Sequence, residues 1–546
     1  MTVDNFWNWV YRFYSFVVRF IFACIVSGLL ILSLVCICYM ETSEYVYLCM
    51  DAVTRQALLL LAVLAGAVAL GFFARRKKLH WEKTDFLRWG VLVLGGIAGV
   101  FWVLNTRYIP RADQLSILKF AEHLRKGEYG VFGAGSYMAR YPHQSGIVLV
   151  LWGLSMIWGD GNYVAFQLLN VAAYVLILWT LGEFAIRLGR KPVLPTFLGF
   201  LFLPLLFYTS FLYGTLLGLC FAMLAALQTV DFCRSGKRSC GILAGLSLFA
   251  ALVIKSNYQI FAIGILIYAV MYLLSHKAWK RWSIVLVLVA AFVAGTKLPI
   301  FCMEKITGQD FSHGSTTLSW VVMGLHDDGN QSPGRYDGYV WSTLDDAGLD
   351  SQLQKERVVQ DLKNRLKELA GNPGYAVKLF LKKTASQWCE PIFEGIWILQ
   401  QMKTDYSVPV WIRNLVSPVG SWQVSGVLNY VHIIILFGAA LLAFSGKENI
   451  TNEDCLLTTI FIGGFLFHTF WEAKGQYTLP YFTLLIPLAI QGYGIVARAG
   501  MKGEKQALLW VMPPMVIVLL TVVATKVLPL EWLHVDLTRF YHYLGR

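Results

Sequence analysis

Residues 87–114 read LRWGVLVLGGIAGVFWVLNTRYIPRADQ, a run of about 19 mainly apolar residues that gives way to a polar segment containing Asp113. A helix needs about 20 apolar residues to cross the roughly 30 Å hydrocarbon core of a bilayer. Runs of this kind recur between Tyr14 and Val527, with polar segments between them. The pattern therefore predicts an all-α integral membrane protein built as a bundle of spanning helices.

The composition excludes a soluble domain. Hydrophobic residues make up 57% of the chain, charged residues make up 14%, and the mean hydropathy is +0.57. The net charge of +13 does not indicate nucleic-acid binding, because the Lys and Arg residues form short clusters between apolar runs. The ten cysteines show no metal-type spacing, and we interpret them as packing residues. We therefore expect membrane lipids, and no nucleic acid, among the partners.

Basic clusters such as Arg187, Arg190 and Lys191 predict the orientation, since these clusters stay on the cytoplasmic side. They can all lie inside only if the apolar run 144–158, at about 15 residues, does not cross the membrane. We interpret this run as a re-entrant or surface-lying helix. The N-terminus is then cytoplasmic, the C-terminus lies outside, and the expected location is the plasma membrane. About 13 spans are predicted, at residues 14–38, 56–74, 87–105, 163–185, 193–209, 210–231, 239–254, 258–275, 281–302, 424–445, 455–471, 478–497 and 507–528.

Two long segments, residues 106–162 and 303–423, are predicted to lie on the outer face. The first contains an amphipathic stretch that predicts a helix at the membrane interface, ending near Gly127. The second contains a predicted amphipathic helix over residues 353–370. The predicted organisation has four parts: 1–86, additional N-terminal membrane helices; 87–302, a membrane core with the outer loop 106–162; 303–423, an extracytoplasmic region; and 424–546, C-terminal membrane helices.

Several short motifs follow one another in a fixed order between residues 87 and 500. An acidic residue stands near the start of the first outer loop, and a Tyr-Pro pair opens the apolar run after it. The motifs are Asp113, Tyr141-Pro142-His143-Gln144, FYTSF at 207–211, MGL at 323–325, GRYDGY at 334–339 and EAKGQY at 472–477 before Pro480-Tyr481. Their order and sidedness resemble the GT-C glycosyltransferases, in particular the protein O-mannosyltransferase and aminoarabinose transferase group and related bacterial enzymes of cell-surface glycan assembly.

The resemblance implies a GT-C-like bundle with juxtamembrane helices in its first outer loop. It also implies that a sugar moves from a polyprenyl-phosphate carrier to a glycan, lipid or protein acceptor outside the plasma membrane. In a bacterial enzyme the carrier would be undecaprenyl phosphate. The family's frequent Asp-Glu pair is Asp113-Gln114 here, and this departure leaves the role of a second carboxylate open.

The chemistry of such a transfer assigns roles to several residues. A base must take the proton of the acceptor, and one carboxylate, Asp113, suffices for inversion by direct displacement. Positive charge must hold the departing phosphate. Lys255 is the strongest candidate for this task, because it interrupts apolar sequence where an unpaired ammonium would be costly. The candidates for phosphate binding are Arg107, Arg111, Arg140, Lys255 and Lys474.

Other residues suit contact with the sugar or the acceptor, since aromatic rings stack on sugar faces. These candidates are Tyr141, His143, Arg335, Tyr336, Tyr339, Glu472 and Tyr477. A divalent metal ion is a possible cofactor, held by Asp113, Glu122, His143 and Glu472, although no ligand spacing typical of a metal site is present.

Structural alternatives remain open at each of these positions. Asp113 could pair with Arg107 or Arg111, or favour the N-terminus of the following helix. Lys255 could extend its side chain to the membrane interface, and Glu472 could form a local ion pair with Lys474.

The competing class is a membrane transporter or a flippase for lipid-linked glycans. Charges within the spans are sparse, no matched pair of broken helices is predicted, and two outer segments of this length exceed what most carriers need. These observations favour an enzyme.

Overall fold

The computed structural model describes residues 3–41, 46–50, 53–77, 84–329, 332–397, 399–400, 407–446, 451–502, 506–528, 530–533, 542 and 544. The predicted parts 1–86, 303–423 and 424–546 therefore each include residues outside the described ranges. The structure is 80% helical. Its helices, in chain order, are α1 Val3–Val35, α2 Val53–Lys77, α3 Thr84–Thr106, α4 Asp113–Lys126, α5 Tyr137–Arg140, α6 Ser145–Trp158, α7 Tyr163–Arg187, α8 Val193–Leu201, α9 Pro204–Phe207, α10 Thr215–Ser235, α11 Arg238–Ile254, α12 Gln259–Ser275, α13 Ser283–Thr307, α14 Leu318–Met323, α15 Tyr339–Asp346, α16 Ser351–Gly371, α17 Pro373–Trp388, α18 Val410–Val416, α19 Pro418–Ala443, α20 Asn452–Phe470, α21 Gly475–Thr483, α22 Leu485–Lys502 and α23 Gln506–Val527.

Eight of the described helical segments are long and apolar enough to cross a membrane, or up to 10 if each bent helix pair counts as one span. The bent pairs are Val193–Leu201 with Pro204–Ser210, at 64°, and Gly475–Thr483 with Leu485–Arg498, at 43°. The chain is therefore a multi-pass helical membrane protein. The eight segments are Trp9–Val35, Phe86–Thr106, Tyr163–Arg187, Thr215–Ser235, Ser256–Ser275, Trp279–Thr307, Pro418–Ala443 and Leu509–Val527.

The prediction of about 13 spans is not confirmed. Two of the predicted spans fall on the apolar stretches Val53–Ala69 and Arg238–Ile254, which are shorter than the eight candidate spans. A third falls on α20, whose first turn carries Glu453 and Asp454. The bent pairs also differ from the sequence prediction, which contained no broken helices.

A small antiparallel hairpin is a second difference from the all-α prediction. Strand β1, Cys36–Met40, pairs with β2, Val46–Met50, so that Cys36 lies opposite Met50. The first predicted span therefore ends at Val35, where residues with β-forming side chains follow. The Cys38 amide donates to the Cys389 carbonyl at 2.9 Å, which ties the hairpin to the chain after α17.

Three predicted features of the outer segments are confirmed. Helix α4 ends at Gly127, which adopts a left-handed conformation with φ 72°. Helix α16 matches the predicted amphipathic helix, and the Asp350 carboxylate caps it by accepting hydrogen bonds from the Gln352 and Leu353 amides. The short apolar run after Gln144 is the separate helix α6.

Helix α6 packs closely against the end of α11, and this contact brings residues 142–144 near Lys255. Gly146 makes the approach possible, because a Cβ placed there would lie 1.9 Å from the Val253 carbonyl oxygen. Backbone atoms cannot give way as a flexible side chain can. The contact therefore requires glycine.

We expect Gly146→Ala to lower the free energy of unfolding by about 1–3 kcal/mol, because the added methyl group overpacks this contact. The matched control is Gly153→Ala on the same helix, where a Cβ has no atom within 4 Å and alanine favours the helix. Thermal unfolding in detergent measures both. Equal melting temperatures for the two variants would contradict the close packing of α6 on α11.

Candidate functional site

A polar cavity of about 260 Å³ opens among the connections between helices. It is bounded by the start of α4, the α5–α6 junction, the segment before α10, helices α14 and α15, and the segment between α20 and α21. The cavity therefore brings together both predicted outer segments. Its lining residues are Ala112, Asp113, Tyr137, Tyr141, His143, Gln144, Tyr213, Trp320, Tyr336, Val340, Trp341, Glu472, Lys474 and Tyr477.

Asp113 is the first residue of α4 and lies at the cavity wall. The Tyr213 hydroxyl donates to its Oδ2 at 3.4 Å. Ala112, directly before it, has φ 48°. This backbone conformation costs a non-glycine residue about 1–3 kcal/mol, and such strained residues are typically found at functional sites. No ion pair joins Asp113 to Arg107 or Arg111 among the described residues, so the pairing alternative is not what this structure contains.

Gln114 explains how the segment before α10 is held beside Asp113. This side chain is buried, its Oε1 accepts the Leu212 amide at 2.7 Å, and its amide group donates to the Tyr108 hydroxyl at 3.2 Å. Gln114 is therefore a structural link. It positions Tyr213, the next residue after Leu212, against Asp113.

Lys255 lies between α11 and α12 in extended conformation. Its Nζ donates to the Thr215 hydroxyl at 2.9 Å and lies 4.5 Å from the centre of the Tyr213 ring and 5.9 Å from that of Tyr477. Desolvation lowers the pKa of Lys255 to about 7, while the negative charge of Asp113 raises it and the positive charge of Lys474 lowers it. Tyr213 thus contacts both the carboxylate and the amine.

Glu472 and Lys474 form an ion pair at 3.2 Å on the cavity wall. The Tyr477 hydroxyl donates to Glu472 Oε2 at 3.4 Å, and the Lys474 amine lies 5.7 Å from the centre of the Tyr336 ring. The local ion pair predicted as an alternative is therefore present, and both partners also face the cavity.

Aromatic side chains form the opposite wall. The Tyr141 ring lies 5.8 Å from Trp320 and 6.0 Å from Trp341, measured between ring centres, and Trp320 stacks on Trp471 at 5.8 Å. His143 is part of the same wall, 5.9 Å from Trp320. Desolvation and the positive charge of nearby Lys255 together lower the pKa of His143 to about 4. His143 is therefore neutral near pH 7 and offers hydrogen bonds, not charge.

Arg140 and Tyr339 lie behind the cavity wall and are not among its lining residues. Arg140 pairs with Asp345 at 2.6 Å and lies over the Trp341 ring at 4.2 Å, so that it supports the wall. The Tyr339 hydroxyl donates to Asp361 at 2.6 Å. The predicted phosphate contact of Arg140 and sugar contact of Tyr339 stay predictions, and neither side chain is part of the cavity lining.

Arg107, Arg111 and Arg335 also lie apart from the lining residues. Arg107 and Arg111 are exposed, and Arg107 donates to the Ser407 carbonyl at 3.4 Å. Arg335 is buried and pairs with Glu394 at 2.5 Å. Sequence spacing placed all three near the site but could not give the direction of their side chains.

Several lining residues were not predicted: Tyr137, Gln144, Tyr213, Trp320, Val340 and Trp341. Gln144 donates to the Tyr213 hydroxyl at 2.5 Å, which extends the chain of contacts from Asp113 into α6. Only the density of aromatic residues in these segments could have indicated them from the sequence.

The sequence left open a metal site at Asp113, Glu122, His143 and Glu472, and these described side chains are not arranged as one. Among the described residues no group of three or more His, Cys, Asp and Glu side chains is arranged to hold a metal ion. Glu122 borders a separate small groove between α4 and α6, together with Gly161.

The fold and the cavity define a multi-pass membrane protein with a polar, aromatic-walled site lined by two carboxylates, Asp113 and Glu472, and one amine, Lys474, with the Lys255 amine in an adjoining pocket. The chain matches no protein-family model and no curated protein sequence.

We expect the apparent pKa of Lys255 to respond to the two charges that face it. Asp113→Asn removes a negative charge and should shift the pKa below about 7, whereas Lys474→Met removes a positive charge and should shift it upward. Nuclear magnetic resonance of ¹³C-dimethylated lysines, followed over pH, measures both shifts, with Lys255→Arg to assign the signal. An unchanged midpoint in both variants would contradict the placement of Asp113 and Lys474 close to Lys255.

Proposed function

We propose that this protein is a membrane glycosyltransferase of the GT-C type. It transfers a sugar from a polyprenyl-phosphate-linked donor to a glycan, lipid or protein acceptor on the outer face of the plasma membrane. The observation that carries the proposal is the arrangement at the cavity: Asp113 and Lys474 line it, and the Lys255 amine lies in an adjoining pocket, 4.5 Å from the ring centre of the lining residue Tyr213. A base and a phosphate-binding group within one cavity are the two elements that such a transfer needs.

Asp113 acts as the general base. A hydroxyl or amine of the acceptor attacks C1 of the donor sugar and gives its proton to the Asp113 carboxylate as the new bond forms. The bond between C1 and the phosphate oxygen breaks, and its electron pair leaves with the polyprenyl phosphate. A direct displacement needs only this one carboxylate as the base, and it inverts the configuration at C1.

Lys255 and Lys474 stabilise the phosphate as its negative charge grows. An ammonium group acts as a point charge toward phosphate oxygens, and the low polarity around Lys255 strengthens the attraction. The approach of a phosphate raises the pKa of Lys255 and so favours its protonated form. Because the pKa of Lys255 is lowered, donor binding and protonation of Lys255 are coupled events.

The surroundings of Lys255 support a donor with a lipid tail. The residue lies between α11 and α12, and a small adjoining pocket is lined by Thr215, Tyr258, Tyr477, Pro480 and Tyr481, among others. A phosphate held by Lys255 would have its tail directed along apolar helices, while its sugar occupies the wider cavity. The Tyr141, Trp320 and Trp341 rings can stack on sugar faces there.

The opposite end of the bundle supports an extracytoplasmic location for the cavity. Gln167, near the start of α7, donates to the Tyr108 carbonyl next to the site, whereas Arg187, about 30 Å further along the helix, pairs with Asp231 at 2.7 Å. Arg234 pairs with Glu453 at 2.8 Å. A basic end of the bundle favours the cytoplasmic side, which leaves the cavity outside.

The second candidate function is a carrier or flippase for a lipid-linked glycan. The two bent helix pairs favour it, because broken helices commonly form the substrate sites of transporters. The second pair begins at Gly475, next to the cavity residue Lys474, and Phe202, directly after α8, stacks on Phe482 of α21 at 5.6 Å. The two bent pairs are therefore in contact.

We expect Asp113→Asn to lower the rate of sugar transfer by about 10²–10⁴-fold, because the amide cannot accept the proton of the acceptor. The measurement is release of polyprenyl phosphate from a panel of radiolabelled polyprenyl-phosphate sugars by membranes matched for protein level, with native cell-envelope acceptors. The control is Asp350→Asn, since asparagine also caps a helix and α16 lies away from the cavity lining.

Loss of release in Asp113→Asn, with release retained in Asp350→Asn, supports both the enzyme and the base. Equal release by wild type and Asp113→Asn would remove Asp113 from the reaction. Absence of release from every donor in wild type would favour the carrier.

A further inference from the structure

Arg335 and Glu394 form an ion pair in the interior, next to the cavity but outside its lining. The side chains are 5% and 1% exposed, and their charged atoms lie 2.5 Å apart. Arg335 also donates to the Ser386 carbonyl at 2.8 Å. A buried ion pair adds little net stability compared with apolar residues, so its presence requires another explanation.

The same Glu394 oxygen that accepts from Arg335 also accepts the Gly475 amide at 2.8 Å. Gly475 is the first residue of α21 and directly follows Lys474. The Glu394 Oε1 atom thus links the Arg335 guanidinium to the segment that carries the Lys474 amine. A carboxylate at the N-terminus of a helix is also favoured by the helix dipole.

A second link acts in parallel. The Ala473 amide donates to the Gly334 carbonyl at 2.7 Å, so residues 334–336 lie along residues 473–475. Gly334 has φ 77°, and a Cβ there would lie 2.6 Å from the Gly324 carbonyl oxygen, which makes glycine necessary. The next residue but one, Tyr336, faces the cavity beneath the Lys474 amine.

The backbone around Glu394 is strained. Phe393 and Glu394 have φ of 48° and 62°, and each such residue costs about 1–3 kcal/mol. The Phe393 carbonyl accepts from the Tyr208 hydroxyl at 2.8 Å, and the Glu394 side chain holds Arg335 and Gly475. Strain of this kind persists only where surrounding contacts fix it. Here the contact of the Glu394 side chain with Gly475 connects the strained backbone to the segment that carries Lys474.

We infer that Arg335 and Glu394 are positioning residues that hold the chain at 472–475, so that the Lys474 amine points into the cavity. Arg335 fixes the Glu394 carboxylate, and the Glu394 Oε1 atom fixes Gly475. The role of this arrangement in donor binding rests on the proposed function, since Lys474 is there a phosphate-binding group. The placement of Lys474 itself does not depend on that function.

The test compares two variants that differ in one side chain and that each remove both charges of the ion pair together. In Arg335→Met with Glu394→Gln, the amide oxygen can still accept the Gly475 amide. In Arg335→Met with Glu394→Leu, no acceptor remains. Both should fold, because replacing a buried ion pair with neutral residues is commonly tolerated.

The first readout is the ¹³C resonance of dimethylated Lys474, assigned with Lys474→Arg. We expect it to keep its wild-type position in the Gln variant and to move to the position of a freely mobile lysine in the Leu variant. The remote control is Arg187→Met, which breaks an ion pair at the other end of α7 and should leave the signal in place. An unmoved signal in the Leu variant, or a moved one in the folded Gln variant, would overturn the inference.

The second readout is donor turnover. We expect the Leu variant to raise KM for the donor about tenfold or more with a smaller change in kcat, and the Gln variant to restore KM. A loss of stability alone would lower the amount of active protein without this split. If wild type turns over no donor, the proposed function fails, while the Lys474 resonance still decides whether Arg335 and Glu394 position Lys474.

Discussion

The cost of placing a charged side chain among apolar helices governs the site. An ammonium or carboxylate in hydrocarbon must find a partner or lie at water. The chain meets this constraint by placing Asp113, Glu472 and Lys474 on the wall of one cavity and Lys255 in an adjoining pocket. Asp113 favours the charged form of Lys255 whereas Lys474 disfavours it, Glu472 pairs with Lys474, and Tyr213 contacts both Asp113 and Lys255. The surrounding helices can therefore remain apolar while the cavity between their ends carries the chemistry.

Three local devices keep these charges in place. The buried Gln114 amide holds the chain before Tyr213, the contact of Gly146 with Val253 brings α6 close to Lys255, and the ion pair of Arg335 with Glu394 holds the chain after Lys474. All three act through main-chain atoms. The site thus depends on positions outside its lining, where a substitution changes geometry without removing a reacting group.

The sequence predicts those parts of the fold that follow from periodicity and end signals. Helix α4, helix α16 and the short helix α6 are predicted because apolar spacing and stop residues act over a few turns of chain. The hairpin at Cys36–Met40 is not predicted, since its apolar residues continue the preceding apolar run. The contact of Cys38 with Cys389 that ties the hairpin in place involves a residue far along the chain. Arg335 is predicted at the site but lies outside the cavity lining. The direction of its side chain depends on Glu394, a partner 59 residues away, which the local sequence does not indicate.

The fate of C1 of the donor sugar tests the central claim most directly. The polyprenyl-phosphate sugar that wild type consumes would be enriched with ¹³C at C1, and the one-bond coupling between C1 and its hydrogen in the product gives the anomeric configuration. The account predicts a new glycosidic bond at C1 with inverted configuration, as direct displacement with Asp113 as the base requires. Retained configuration, or a label that reaches the other side of the membrane still attached to phosphate, would contradict it.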